Sequence, residues 1–175
     1  MPSSSSSPSS HPDSVADDTS RDDAASRLVV DGCTHEGNQD WTAAVAAYQG
    51  AVDLQPQHSE VCYFAHNNLG YSLLQLGRFD EAATHCEAAI FVNPDRHNAH
   101  KNLGLARQGQ GRWLEAAQSL IEAARRCPQD RRAWLHLQKL LENHPDLPNQ
   151  SESLAAAITD VQGHYAAYGS PPRLN

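Results

Sequence analysis

No stretch of this sequence is apolar for long enough to cross a bilayer, and its opening MPSSSSSPSS has neither the basic nor the apolar part of a secretory leader. Positive charge is scarce too: 13 Lys and Arg face 21 Asp and Glu, for a formal net charge of −8. That balance argues against a nucleic-acid partner. The four cysteines, Cys33, Cys62, Cys86 and Cys127, include no C-x-x-C pair, so neither a zinc module nor a dithiol redox centre is spelled out locally. The expectation is a cytoplasmic protein with reduced thiols, no membrane attachment and no nucleic acid to bind.

The chain is expected to open on a tail. Residues 1–19 are mostly Ser, Pro and Asp with almost nothing to bury, so the entropy of ordering them goes unrepaid and they should be disordered. Ser20 followed by Asp23 reads as a helix start, with acids where a helix N-terminus favours them. A folded domain over 20–143 is expected from there.

Self-similarity organises that domain. Sliding residues 63–96 forward by 34 lays Leu69-Gly70 on Leu103-Gly104, Gly77-Arg78-Phe79 on Gly111-Arg112-Trp113, and Glu81-Ala82-Ala83 on Glu115-Ala116-Ala117. Ala89 and Pro94 fall on Ala123 and Pro128, and an earlier copy at an offset of 38 supplies Gly32, Trp41, Ala44, Tyr48, Ala51 and Pro56. Each copy reads as two amphipathic helices. Gly77 and Gly111 end the first helices, and Pro94 and Pro128 follow the second. Ala44, Ala82 and Ala116 leave room for a facing helix, while Trp41, Phe79 and Trp113 fill the space beside it.

This spacing of L-G, an aromatic, alanines and a closing proline within 34 residues resembles the tetratricopeptide repeat (TPR). The resemblance implies an all-α fold, with helix-turn-helix units stacked into a right-handed superhelical solenoid. Repeats are expected at about 25–58, 63–96 and 97–130, with a partial fourth helix at 131–143. The four residues by which the first and second copies differ in spacing, after His58 and up to Cys62, read as one extra helical turn. Departures from the family pattern are His35, Leu73 and Arg107 where an aromatic is usual, and Cys86 and Leu120 where Tyr48 keeps the ring.

After the loop 144–150, a last helix over 151–168 carries Leu154, Ile158, Val161, Tyr165 and Tyr168 on one stripe, before a flexible end at 169–175. That stripe suits a cap over the end of the stack, with a dimer contact as the alternative.

Catalytic groupings are thin, and no enzyme, metal or cofactor is expected. His85 and Cys86 are neighbours on a helix, about 100° apart, so the imidazole is badly placed to serve the thiol. His97-x-x-His100 has the form of a chelating pair, but His100 occupies a packing position shared with His66 and Trp134.

A peptide groove is the stronger expectation. Asn68 and Asn102, each two residues before a signature glycine, fall on the inner face, and an amide suits a backbone peptide group. In TPR domains that hold extended peptides, asparagines at this place form a ladder, and these two look similar. By helical phase the same face takes Phe64, Asn67 and Tyr71, then Asn98, Lys101 and Leu105, then Arg132, His136 and Lys139. The cations among them favour an acidic partner.

Carboxylate-clamp TPR domains are only partly matched: Val29 and Cys33 replace the expected Lys and Asn, and Asn98 and Asn102 replace Lys and Arg. The reading is therefore an adaptor or scaffold that binds another protein or a peptide. A cytosolic chaperone of secreted substrates, similar to the three-TPR chaperones of type III systems, is the alternative.

Overall fold

The computed structural model describes residues 12–167, and side chains over 18–166. Among these the chain is helical throughout, with no strand: α1 (Pro12–Gly37), α2 (Trp41–Asp53), α3 (Ser59–Gln75), α4 (Phe79–Val92), α5 (His97–Gly109), α6 (Trp113–Arg126), α7 (Arg132–Asn143) and α8 (Glu152–Ala167), with a single 3₁₀ turn at Leu147–Gln150 before α8.

The same turn closes three of the first helices. Gly77 and Gly111 adopt φ of 72° and 75°, and Gln39, at the matching place in the first copy, adopts 59°. The left-handed residue lets the following amide reach back into the helix: Arg78 N–H donates to Leu73 O (3.0 Å), Arg112 N–H to Arg107 O (2.9 Å) and Asp40 N–H to His35 O (2.9 Å). In the first copy Asp40 goes on to cap α2, its carboxylate accepting from Ala43 N–H at 3.0 Å.

Close approach within each pair rests on the signature glycines. A Cβ on Gly70 would lie 2.7 Å from Cys86 Sγ and 3.2 Å from Ala82 O; one on Gly104 would lie 2.7 Å from Leu120 Cγ and 3.2 Å from Ala116 O. Ala44, Ala82 and Ala116 are fully buried, as are Tyr48, Cys86 and Leu120, the residues that face the three glycines. The departures from the family pattern at Cys86 and Leu120 thus fill the slot that Tyr48 fills over Gly32.

The extra residues after the first copy lengthen α3, which starts at Ser59, one turn ahead of the position equivalent to the start of α5. At the other end Leu154, Ile158, Val161 and Tyr165 are buried in one cluster with Leu120, Trp134, Leu137 and Leu140. Trp134 and Tyr165 stack with ring centroids 5.5 Å apart, and Arg125 of α6 pairs with Asp160 of α8 at 3.1 Å. The described part of the stripe is thus buried within the chain, against both α6 and α7. Tyr168 and the end at 169–175 lie outside the described residues.

One boundary differs from expectation. Helix α1 begins at Pro12, so residues 12–19 are helical where a disordered tail was expected; residues 1–11 lie outside the described residues. Proline suits a first helical turn because its missing N–H has no acceptor to lose there. Asp13 follows in the first turn, where the helix dipole favours acids, and Asp18 pairs with Arg21. Extending a helix already anchored by buried Ala25 needs no new nucleus.

Candidate functional site

The first helices of successive units, α3, α5 and α7, present one face of the stack. Between them runs a groove of about 410 Å³. Nine of the eleven residues expected on the inner face line it. Asn67, Asn68 and Tyr71 come from α3, Asn98, Lys101, Asn102 and Leu105 from α5, and Arg132 and His136 from α7. Two do not. Phe64 lies beneath the guanidinium of Arg96, 4.8 Å from its ring centroid, and edge-on to Tyr63. Lys139 is exposed beside the groove.

The floor is a relay of polar side chains. Asn102 Nδ2 donates to Asn67 Oδ1 (3.2 Å), Asn67 Nδ2 to Asn68 Oδ1 (2.9 Å), and Asn68 Nδ2 to the Tyr48 hydroxyl (3.5 Å). The Tyr48 hydroxyl donates in turn to Glu36 Oε2 at 2.9 Å. Asn68 and Asn102 are therefore not linked as matching rungs; Asn67 stands between them. Asn102 is 2% exposed, and its Oδ1 has no hydrogen-bond partner.

Charge is divided along the groove. At the α7 end Arg132 is tied to Asp130, with Nη2 2.6 Å from Oδ2, and reaches Asn98 Oδ1 at 3.3 Å. Asp130 also accepts from the Arg132 backbone N–H (3.1 Å) and meets His97 Nε2 at 2.8 Å. Hydrogen bonds from Arg132, foremost, hold the Asp130 carboxyl well below the usual carboxylate range. With Asp130 so engaged, Lys101 sits 8% exposed with no carboxylate among the described residues in salt-bridge reach, and burial followed by repulsion from Arg132 lowers its pKa. Burial, then the charges of Lys101, Lys139 and Arg132, lowers that of His136. Glu36 gives the opposite end a negative charge.

Glu36 and Gln75 were missed in the sequence, and so was a neighbouring hollow where Trp41 meets Tyr71 edge-on at 5.9 Å. The helical phase that found Tyr71 leads in α1 to Cys33, already compared with the carboxylate clamp, and continued one turn further it reaches Glu36.

The catalytic and chelating candidates take other roles. His97 bonds Asp130, and His100 Nε2 is 2.8 Å from Pro94 O. Cys86 faces Gly70 from the core, its thiol pushed up to about 12 by burial, and His85 turns to His66 instead.

Comparison with known proteins agrees with this fold. The tetratricopeptide repeat model matches residues 32–97, 67–131 and 101–167, and the chain belongs to that family. The fold defines a protein–protein interaction module, in a family of generally non-catalytic scaffolds.

Among curated relatives, the chain is 26% identical over 111 residues to protein O-mannosyl-transferase Tmtc3 of Drosophila melanogaster, covering 63% of this chain and 12% of that one. It is 27% identical over 103 residues to small glutamine-rich tetratricopeptide repeat-containing protein 2 of Saccharomyces cerevisiae, covering 59% and 29%. The chain thus spans less than a third of either relative.

Among solved structures it resembles the Arabidopsis OM64 TPR domain, with TM-score 0.65, 23% identity, and 70% and 98% of the two chains covered. It also resembles the myosin chaperone UNC-45 from C. elegans in complex with an Hsp90 peptide, with TM-score 0.66, 26% identity, and 78% and 15% covered. No described helix is long and apolar enough to cross a membrane.

Proposed function

We propose that the chain is an adaptor that holds an extended peptide of a partner protein in the groove between α3, α5 and α7. One observation carries this reading: side chains from three successive first helices converge on a single groove that mixes amides with Tyr71 and Leu105. Apolar contact supplies affinity and the amides supply orientation. UNC-45, whose structure holds an Hsp90 peptide, shares the fold at 26% identity, which makes a peptide a reasonable occupant here.

The division of charge gives the ligand a polarity. Its acidic part lies by Lys101 and Arg132, and its basic or amino-terminal part by Glu36. Asn68 and Asn98 meet the ligand backbone, and Asn102 braces Asn67 from below. Affinity is modest, with micromolar dissociation constants equivalent to about −8 kcal/mol, because a flexible ligand loses entropy on binding. A cytoplasmic setting suits the four free cysteines.

A library of extended peptides displayed on phage and selected on the full chain tests the reading. Enriched sequences should carry acids and should lose binding to the Asn68→Ala, Arg132→Ala double variant. Selection of peptides that bind this variant and the parent chain equally well would move the partner to another face.

A further inference from the structure

Beside the Glu36 end of the groove lies a second hollow, of about 540 Å³, between the end of α1, the start of α2 and α3. Glu36, Asn68 and Tyr71 line both, so the hollow and the groove share a wall.

The hollow has an aromatic corner. Trp41, the first residue of α2, meets Tyr71 of α3 with ring centroids 5.9 Å apart and ring planes 84° apart. A guest seated where two rings stand at right angles lies against a face of each, the side on which the ring quadrupole attracts a cation. Both rings are half-buried, so each keeps part of its surface open to solvent.

The charge beside the corner is negative and unpaired. Among the described residues Glu36 is the one charged group that lines the hollow. Its Oε2 accepts from the Tyr48 hydroxyl at 2.9 Å, and no described lysine, arginine or histidine pairs with it. Burial, foremost, raises the pKa of the Tyr48 phenol, so the phenol remains a donor that pins Oε2 and leaves Oε1 to a ligand. Arg132 acts on Tyr71 electrostatically from the groove side, but its own charge is balanced by Asp130, 2.6 Å away.

We propose that this hollow is a subsite for an arginine side chain of the bound peptide, with the guanidinium stacked in the Trp41–Tyr71 corner and donating to Glu36. The subsite rests on the peptide reading above, because it shares three residues with that groove. Arginine suits it better than lysine. A planar, weakly hydrated guanidinium stacks on a ring while its N–H edge meets a carboxylate, whereas a compact ammonium has more water to shed. A neutral apolar side chain would take water from Glu36 and give no compensating charge. The peptide therefore carries an arginine toward one end and an acid toward the other, beside Lys101 and Arg132, which fixes its direction along the stack.

The test titrates the full ¹⁵N-labelled chain with arginine capped at both ends, N-acetyl arginine N-methylamide, and reads the indole N–H signals of the three tryptophans. A saturable shift at Trp41 is expected in the millimolar range, with none comparable at Trp113 or Trp134. Capped citrulline, which has nearly the same shape without the charge, should bind about tenfold more weakly, and capped lysine should fall between the two. Glu36→Gln should weaken capped arginine by about twofold to fivefold, and Tyr71→Leu by about twofold to tenfold, with the Trp41 reporter intact in both. Should either variant fail to fold, the contrast between arginine, lysine and citrulline on the unaltered chain decides. An unmoved Trp41, equal binding of citrulline, or undiminished binding by the folded variants would overturn the subsite, and equal binding of lysine would overturn its preference for a guanidinium. The phage selection separates the two readings. Selected peptides that depend on Asn68 and Arg132, on a chain whose Trp41 ignores capped arginine, would keep the groove and remove the subsite; arginine binding at Trp41 with peptides indifferent to those residues would do the reverse.

Discussion

The three turn residues carry unequal costs. Gly77 and Gly111 have no Cβ to crowd the left-handed backbone, whereas Gln39 holds φ 59° with one. Gln39→Gly is expected to add about 0.5–1 kcal/mol of stability, less than the whole left-handed cost because glycine also loosens the unfolded chain. Urea unfolding measures it, and an unmoved midpoint would mean that the turn is already relaxed.

Asp130 acts through pH. Its folded pKa lies below the unfolded value, so its contribution is complete at neutral pH and drains away as pH falls through the carboxylate range toward the folded value. Asp130→Asn should destabilise the chain at neutral pH and flatten the stability loss between about pH 5 and pH 3. Parallel acid limbs for the two proteins would show that the carboxylate is not linked to folding.

At the scale of elements, α8 supplies the test of capping. Its stripe covers Trp134, Leu137 and Leu140, and truncation after Asn149 should expose them, lowering the melting midpoint and the solubility together. A truncated protein as stable and soluble as the parent would assign α8 another task. The helix contacts themselves are tight at Ala82 and Ala116, where a change to Leu should overpack and cost about 1–3 kcal/mol by thermal melting.

These elements were legible because the 34-residue period, the turn glycines and the small-residue positions all repeat, so that every copy corroborates the others. Helical phase likewise named most of the groove. What it left out depends on pairing across helices. That Asn67, and not Asn68, receives the Asn102 amide follows from how α3 is rotated against α5, and that His66 meets His85 follows from how α3 crosses α4. Neither rotation is written in the period. The early start of α1 was hidden for another reason: local composition favoured disorder, while the packed helix beyond it lowers the cost of extending backward.

For the molecule as a whole, a net charge of −8 surrounds a groove end lined by Lys101 and Arg132. An acidic ligand must approach through repulsion from the rest of the surface before it meets local attraction. Salt screens both, over about 10 Å at 0.1 M, so the more buried contact should survive better than the long-range repulsion. Raising salt is thus expected to speed association of an acidic peptide while also speeding its release, as stopped-flow measurement would resolve. A slower association at higher salt would mean that the local positive end, not the net charge, governs the approach.

The order of helices along the stack has a mechanical consequence. Elements that neighbour in sequence also neighbour in space, so a pull on the two ends loads the interfaces in series, as in a coil spring. The groove floor crosses those interfaces through the relay from Asn102 to Glu36, so stretching the coil spreads the floor before any helix unwinds. A bound peptide would then act as a strut along the inside of the spring, raising its stiffness until the load ejects it.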